Sequence, residues 1–298
     1  MNDRPLIDPQ VLERLGSLEL RARYLVEGTL SGMHASRLSG DNVEFAGHRE
    51  YVPGEDPKRI DWKAFGRLDR YYIKESLDET NLAVHLAVDC SGSMEYPETG
   101  TTKGAYASLL AASLACMALE QGDAAGLYLF PARRVHLPPR ASRVYLREIA
   151  RALETGPREG RASIGAAASE LAGMAGRRGL IVLFSDMIDE DPAALDSIIQ
   201  LSRRGHDVCV FHVLDRSEIG FSASGLTLFC DPESEAQVLV EPDAIREAYL
   251  REFGAFLERC RRVCIDAGVD YRLAVTDVPP ETALREFLEG RQGRRARA

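Results

Sequence analysis

Leu15, Leu18, Ala22 and Leu25 recur at intervals of three and four residues, which gives a helix one apolar face. This helix is predicted to start at Asp8, with Pro9 in the first turn, where a missing N–H costs nothing, and to run to about residue 30. From about 31 to 68 no period is sustained, and Gly, Ser, Pro and charged residues dominate. An irregular stretch of that length is uncommon unless it is functional or tied down by specific contacts.

Beyond about residue 70 the pattern alternates between the two periods. "RYYIKES" reads as a strand with one wet face, and "LAVHLAVD" is apolar on both faces, as a central parallel strand must be. Helices predicted over about 103–121, 142–154, 163–176, 192–203 and 242–267, with a short last helix, alternate with strands at "AGLYLF", "GLIVLFSD", "DVCVFHVLD" and "YRLAVTD". The expected fold is α/β: a central, mostly parallel sheet with helices on both faces, and the N-terminal helix and long loop packed against it. The expected division is 1–80 for that helix and loop, 81–290 for the sheet domain, and 291–298 for a disordered basic tail, "GRQGRRARA" being Arg-rich.

The formal net charge of −9 over 298 residues argues against general nucleic-acid or anionic-membrane binding, which needs basic surface. No apolar run approaches the ~20 residues that cross a bilayer. The start, "MNDRPLIDPQ", lacks the basic-then-apolar pattern of a signal peptide. The chain is therefore expected to be cytoplasmic. Its six cysteines, mostly in apolar segments, read as small buried hydrophobes. Cys260 and Cys264, spaced i, i+4, have no second Cys/His pair to complete a zinc site.

Four strands end in aspartate: Asp89, Asp186, Asp215 and Asp277. In open α/β sheets, ligands sit at the carboxyl ends of strands, near the point where the strand order reverses. "DCSGSM", residues 89–94, follows the apolar run "LAVHLAV", read as a buried strand. In D-x-S-x-S, alternate side chains of an extended loop point the same way, so Asp89, Ser91 and Ser93 can aim three oxygens at one point. Asp186 supplies a second carboxylate, and such a set suits Mg²⁺, with Mn²⁺ or Ca²⁺ as alternatives. The competing bland reading is a polar strand-to-helix turn in which Asp89 satisfies backbone N–H groups. An aspartyl-phosphate enzyme usually carries a second acid two residues after its nucleophile, where this chain has Ser91. A serine hydrolase of α/β type needs G-x-S-x-G, whose first glycine is missing from "DCSGS".

These residues resemble the von Willebrand factor A-like fold, in which D-x-S-x-S forms the first loop of a metal-ion-dependent adhesion site. The resemblance implies Mg²⁺ held by Asp89, Ser91 and Ser93, with Asp186 from a third loop, accepting an acidic residue from a partner protein. Such a site binds and does not turn over substrate. The second loop normally supplies a threonine; here Ala162 stands at that position, with Ser163 next to it as the substitute. Upstream, "SGMHASRLSGDNVEFAGHREYVPGEDPKRIDWKAFGRLDRYYIKE" resembles the signature of a bacterial group, domain-of-unknown-function family 58. That resemblance implies an adaptor or partner of a MoxR-type AAA+ ATPase in chaperone-like assembly. A Mg²⁺-dependent hydrolase using the same cluster and a metal-free scaffold are the alternatives.

Within the signature, Arg49, Glu55, Asp56, Lys58, Arg59, Asp61, Lys63 and Arg67 suit an ion-pair network, with Trp62 and Phe65 as anchors. The rival expectation is a partner-binding surface carried by Arg49, Arg59, Trp62 and Arg67, residue types that interfaces favour.

Overall fold

Asp8 accepts a hydrogen bond from the Gln10 amide and Pro9 follows it, which starts helix α1 (Pro9–Arg14). The single helix expected to run to about residue 30 is interrupted after Arg14. The Ser17 hydroxyl accepts from the Leu20 amide, and α2 (Leu18–Arg37) begins there.

The structure, a computed structural model, describes residues 7–37, 49–50, 72–73, 82–97, 99–130, 135–176, 178–189, 191, 193–234 and 236–295. The chain divides into two compact units, Met1–Met33 with Leu82–Ala298, and His34–Asn81. The N-terminal helices thus belong with the sheet, and the boundaries fall at 34 and 82 instead of at 80 alone. In the second unit, β1 (Arg49–Glu50) and β2 (Tyr72–Ile73) pair antiparallel, so the strand expected in "RYYIKES" belongs to a two-stranded ladder of its own.

In the first unit the chain runs through β3 (Ala83–Asp89), α3 (Lys103–Glu120), β4 (Ala124–Phe130), β5 (Val135–Arg140), α4 (Tyr145–Thr155), α5 (Ile164–Met174), β6 (Leu180–Ser185), α6 (Ala194–Arg203), β7 (Asp207–Leu214), α7 (Arg216–Gly220), β8 (Thr227–Cys230), β9 (Gln237–Val240), α8 (Pro242–Asp266), β10 (Asp270–Val275) and α9 (Pro280–Arg295). Six of these strands form one sheet in the order β10-β7-β6-β3-β4-β5, parallel throughout except where β5 joins β4. The first strand of the sheet in chain order, β3, therefore has the second on one side and the fourth on the other. This is a doubly wound sheet whose order reverses at the β3/β6 pair, the mostly parallel α/β architecture that the alternation predicts.

Residue parity sorts the core onto two faces. Leu86 and Val88 of β3, Leu127 and Leu129 of β4, Val182 and Phe184 of β6 and Phe211 of β7 face α2, α3, α4 and α9. Ala87, Tyr128, Phe130, Ile181, Leu183, Val208 and Val210 face α5, α6 and α8. Helix α3 is buried from Lys103 nearly to its end, which is why its apolar residues run all round it.

Three features depart from expectation. The edge strand β5 carries Pro138 and Pro139, tolerable there because an edge strand has one unpaired side. Helix α9 continues to Arg295, and Arg291 Nη1 lies 2.7 Å from Asp207 Oδ2, so the tail expected to be disordered from 291 is helical for its first five residues. Cys230 is exposed, whereas the other five cysteines are buried as expected.

Candidate functional site

Strand β3 delivers Asp89 to the carboxyl edge of the sheet with its side chain fully buried. One carboxylate oxygen, Oδ1, accepts from the Ser91 amide at 2.9 Å, closing a turn that frees the chain from the ladder. The other, Oδ2, accepts from the Ser185 hydroxyl at 2.6 Å, tying β3 to the end of neighbouring β6. After Ser91 the chain enters a short 3-10 turn, Gly92–Glu95, and the Ser91 and Ser93 hydroxyls lie 3.0 Å apart. Glu159 donates its amide to the Cys90 carbonyl and Gly92 donates to the Gly160 carbonyl, which stitches this loop to the one before α5.

The next residue after β6 is Asp186, also fully buried. Its Oδ1 accepts from the Ile188 amide at 3.1 Å. Its Oδ2 faces the ammonium of Lys103 at 2.8 Å, and that ammonium lies 2.7 Å from Glu218 Oε1. Lys103 is the first residue of α3 and its side chain is 1% exposed. Glu218 in turn accepts from the Asp215 amide at 2.7 Å, the reciprocal half of a capping box at the start of α7. One buried ion triad thus joins the start of α3, the end of β6 and the turn after β7.

Burial pushes the Asp89 carboxyl up to about 7, and the facing Asp186 carboxylate adds to this against the bonds from Ser185 and Ser91. Desolvation pulls Lys103 down, but Asp186 and Glu218 more than offset it and hold its pKa above the ordinary lysine value. The residue is an ammonium at any physiological pH. Burial raises Glu218, with Lys103 opposing the shift.

The β8–β9 hairpin covers the first loop. A Cβ on Gly92 would lie 2.4 Å from the Pro232 carbonyl oxygen, so at this position only glycine lets the hairpin turn approach. Beside it, the Glu233 carboxylate accepts from the Ser93 amide at 3.3 Å.

Asp89, Ser91, Ser93 and Asp186 therefore converge at the β3/β6 switch point. Ser163 directly precedes α5 and makes no capping bond; among the described residues no recorded bond joins it to the cluster. Arg49 lies in β1 and Arg59, Trp62 and Arg67 lie outside the described residues, as does the ion-pair network expected around them. Sequence reasoning missed Lys103, Ser185, Glu218 and Glu233. The one available signal was a lysine opening a helix whose other faces are all apolar.

The residues present do not fit the Mg²⁺ expected here. The two serine hydroxyls have the right spacing, since adjacent ligands of an octahedron of radius roughly 2.1 Å lie roughly 3.0 Å apart. Each Asp89 oxygen, however, already accepts a hydrogen bond, and Asp186 already spends one oxygen on the Lys103 ammonium and the other on the Ile188 amide. Nor is the second-loop oxygen tied in.

The family model described as "Protein of unknown function DUF58" matches residues 47–255. The chain belongs to this family. Uncharacterized proteins of Mycobacterium bovis and Mycobacterium tuberculosis share the DUF58 chain's sequence at 26% identity over 254 residues, covering 83% of this chain and 79% of theirs. Among solved structures, an aerotolerance-related membrane protein of Bacteroides fragilis is 18% identical over 70% of this chain and 97% of its own, with a TM-score of 0.48. BatB of Bacteroides thetaiotaomicron is 14% identical over 70% and 98%, with a TM-score of 0.44. The SpRpn10 VWA domain is 9% identical over 68% and 93%, with a TM-score of 0.41. Among the described residues of this DUF58 member, no helix is long and apolar enough to cross a membrane.

Proposed function

We propose that this chain is a non-catalytic protein-interaction module whose docking point is the rim around the strand-end cluster. The observation that carries it is the make-up of that rim. Tyr96, whose ring lies 5.9 Å from the Lys103 ammonium, and Ile188, whose amide is held by Asp186, are 40% and 45% exposed. Exposed aromatic and aliphatic side chains set on a rigid, hydrogen-bonded base are what an interface core is made of. The hydroxyls that a hydrolase would use as nucleophiles are bonded to each other, and the buried His212 has its Nδ1 engaged by the Tyr271 hydroxyl at 2.7 Å.

The partner proposed is a MoxR-type AAA+ ATPase of the same cell, as the family resemblance implies. Biolayer interferometry between the two purified proteins tests this, with Ile188→Asp and Tyr96→Ala as rim variants. The expected outcome is binding that falls at least tenfold in Ile188→Asp, equivalent to about 1.4 kcal/mol. Binding to the ATPase that is unchanged in both variants refutes the rim as the docking point, and no binding at all refutes that partner.

A further inference from the structure

We propose that Lys103 is the built-in cation of this site, its ammonium occupying the charge-balancing role that a bound metal would otherwise take, so that the centre works without a divalent ion. Three observations converge on this.

The first is placement. Lysine at the first turn of a helix opposes the helix dipole, which favours anions there, and it sits at a position where a surface lysine would reach water. Here the side chain turns inward and is 1% exposed. An ammonium is taken out of water only where paired carboxylates and hydrogen bonds offset the desolvation. Lys103 has both, with Asp186 Oδ2 at 2.8 Å and Glu218 Oε1 at 2.7 Å, and a cation–π contact to Tyr96 besides.

The second is what the ammonium joins. Asp186 follows the strand next to β3, and Glu218 is locked by its capping box onto the turn after β7. Thr276, after β10, donates its hydroxyl to Asp215 Oδ2 at 2.6 Å. A single positive charge at Lys103 therefore joins the carboxyl ends of two neighbouring strands, β6 and β7, and the Asp215 turn it holds is tied in turn to the end of β10, the task a metal performs by collecting ligands from separate loops.

The third is what is left for a metal. The Lys103 pairing takes up the acid that a third-loop ligand would need, and Ser163 is not tied into the cluster. A dication placed among Asp89, Ser91 and Ser93 would add its charge next to an ammonium that cannot move away. The assignment also removes the need for an acidic residue from a partner, because no open metal position waits for one.

Metal titration without any partner tests the assignment, so its outcome is independent of the docking proposal. Thermal melts of the wild-type chain are taken in EDTA and in millimolar MgCl₂, MnCl₂ and CaCl₂, with isothermal calorimetry alongside. The expected result is a Tm that does not respond and no saturable heat. A saturable Tm increase that Asp89→Ala abolishes overturns the assignment. The second arm uses Lys103→Met, which keeps the volume and removes the charge. It should melt on the order of 10 °C lower and, with Asp186 and Glu218 now uncompensated, should gain a Tm response to Mg²⁺ or Mn²⁺. Should Lys103→Met prove too unstable to melt cooperatively, Lys103→Met/Asp186→Asn, which removes one of the stranded charges, is expected to regain folding. A Lys103→Met protein as stable as wild type, or a double variant no more stable than the single one, overturns the assignment.

Discussion

Gly92→Ala is the sharpest probe of how the hairpin closes over the first loop. The added Cβ would sit 2.4 Å from the Pro232 carbonyl oxygen, 3.0 Å from the Pro232 carbonyl carbon and 3.3 Å from Glu233 Cγ. Non-bonded carbon and oxygen rest at roughly 3.5 Å, so the hairpin turn must withdraw by about 1 Å. Two of the three obstructing atoms are backbone, and no rotamer change removes them. The displaced turn also loses the bond from the Ser93 amide to Glu233, already long at 3.3 Å. Overpacking of this kind costs about 1–3 kcal/mol and the hydrogen bond about 1 kcal/mol more. The sum lowers Tm by roughly 4–16 °C if the whole domain must absorb it, at about 2–4 °C per kcal/mol for a domain of this size. If the hairpin peels away instead, Tm moves less and the loss appears locally. Native-state hydrogen exchange should then accelerate at the β8–β9 amides and at Ser93, about tenfold for each 1.4 kcal/mol. Gly173→Ala, in helix α5 with nothing within 4 Å of the new Cβ, is the control and should be neutral or stabilising. Unchanged Tm together with unchanged exchange in Gly92→Ala would show that the hairpin does not rest on the loop as described.

Two further outcomes follow from buried polar groups. Asp89→Ala strands the Ser91 amide and the Ser185 hydroxyl and should cost about 2–4 kcal/mol in urea unfolding. Asp89→Asn keeps an acceptor and removes the charge that burial and Asp186 disfavour, so it should cost clearly less; equal losses would sink the hydrogen-bond account. His85, buried in β3, has its pKa lowered to about 4 by burial, then by His206 and His136, from 6.5 in the open chain. Above pH 6.5 neither state binds the proton, and between 6.5 and 4 only the unfolded chain does, so stability falls as pH drops through that window and levels off below it. The full shift is worth about 3 kcal/mol, and about 2 after allowing for solvent screening. His85→Phe should flatten that part of the stability–pH curve, and a parallel curve would contradict the assignment.

What the sequence showed and what it hid divide along physical lines. Strands apolar on both faces declare themselves, because a parallel sheet covered by helices leaves no wet positions to break the run; β3, β6 and β7 were visible for that reason. The aspartates at their ends were visible too, as polar residues stopping apolar runs, and the switch-point rule put Asp89 and Asp186 together. The β8–β9 hairpin was not legible: each strand is four residues long with an exposed side, and Leu228, Val238 and Leu239 face solvent where alternation gives no contrast. Lys103 was hidden more deeply. Its partners lie 83 and 115 residues away in the chain, and a lysine at a helix start ordinarily reads as solvated surface. Only its neighbours, "GAYASLL", hinted that the first turn enters a core.

The hidden residue changes how the visible ones act. Lys103 offsets one of the two charges on Asp186 and Glu218, so the triad keeps a net negative charge before any partner arrives. Burial and the facing Asp186 disfavour the charged form of Asp89, and a hydrogen bond reaches each of its oxygens. On the docking proposed above, a partner meets a fixed polar floor. On that reading its binding free energy comes mainly from covering Tyr96 and Ile188, each already partly withdrawn from water. The ion triad supplies geometry: by pinning the start of α3 to the ends of two strands it holds the backbone that presents those two side chains, at a cost in desolvation that a purely apolar core would avoid. The same exchange of stability for a defined surface explains why the acids are deep and the apolar groups shallow, the reverse of an ordinary globular gradient.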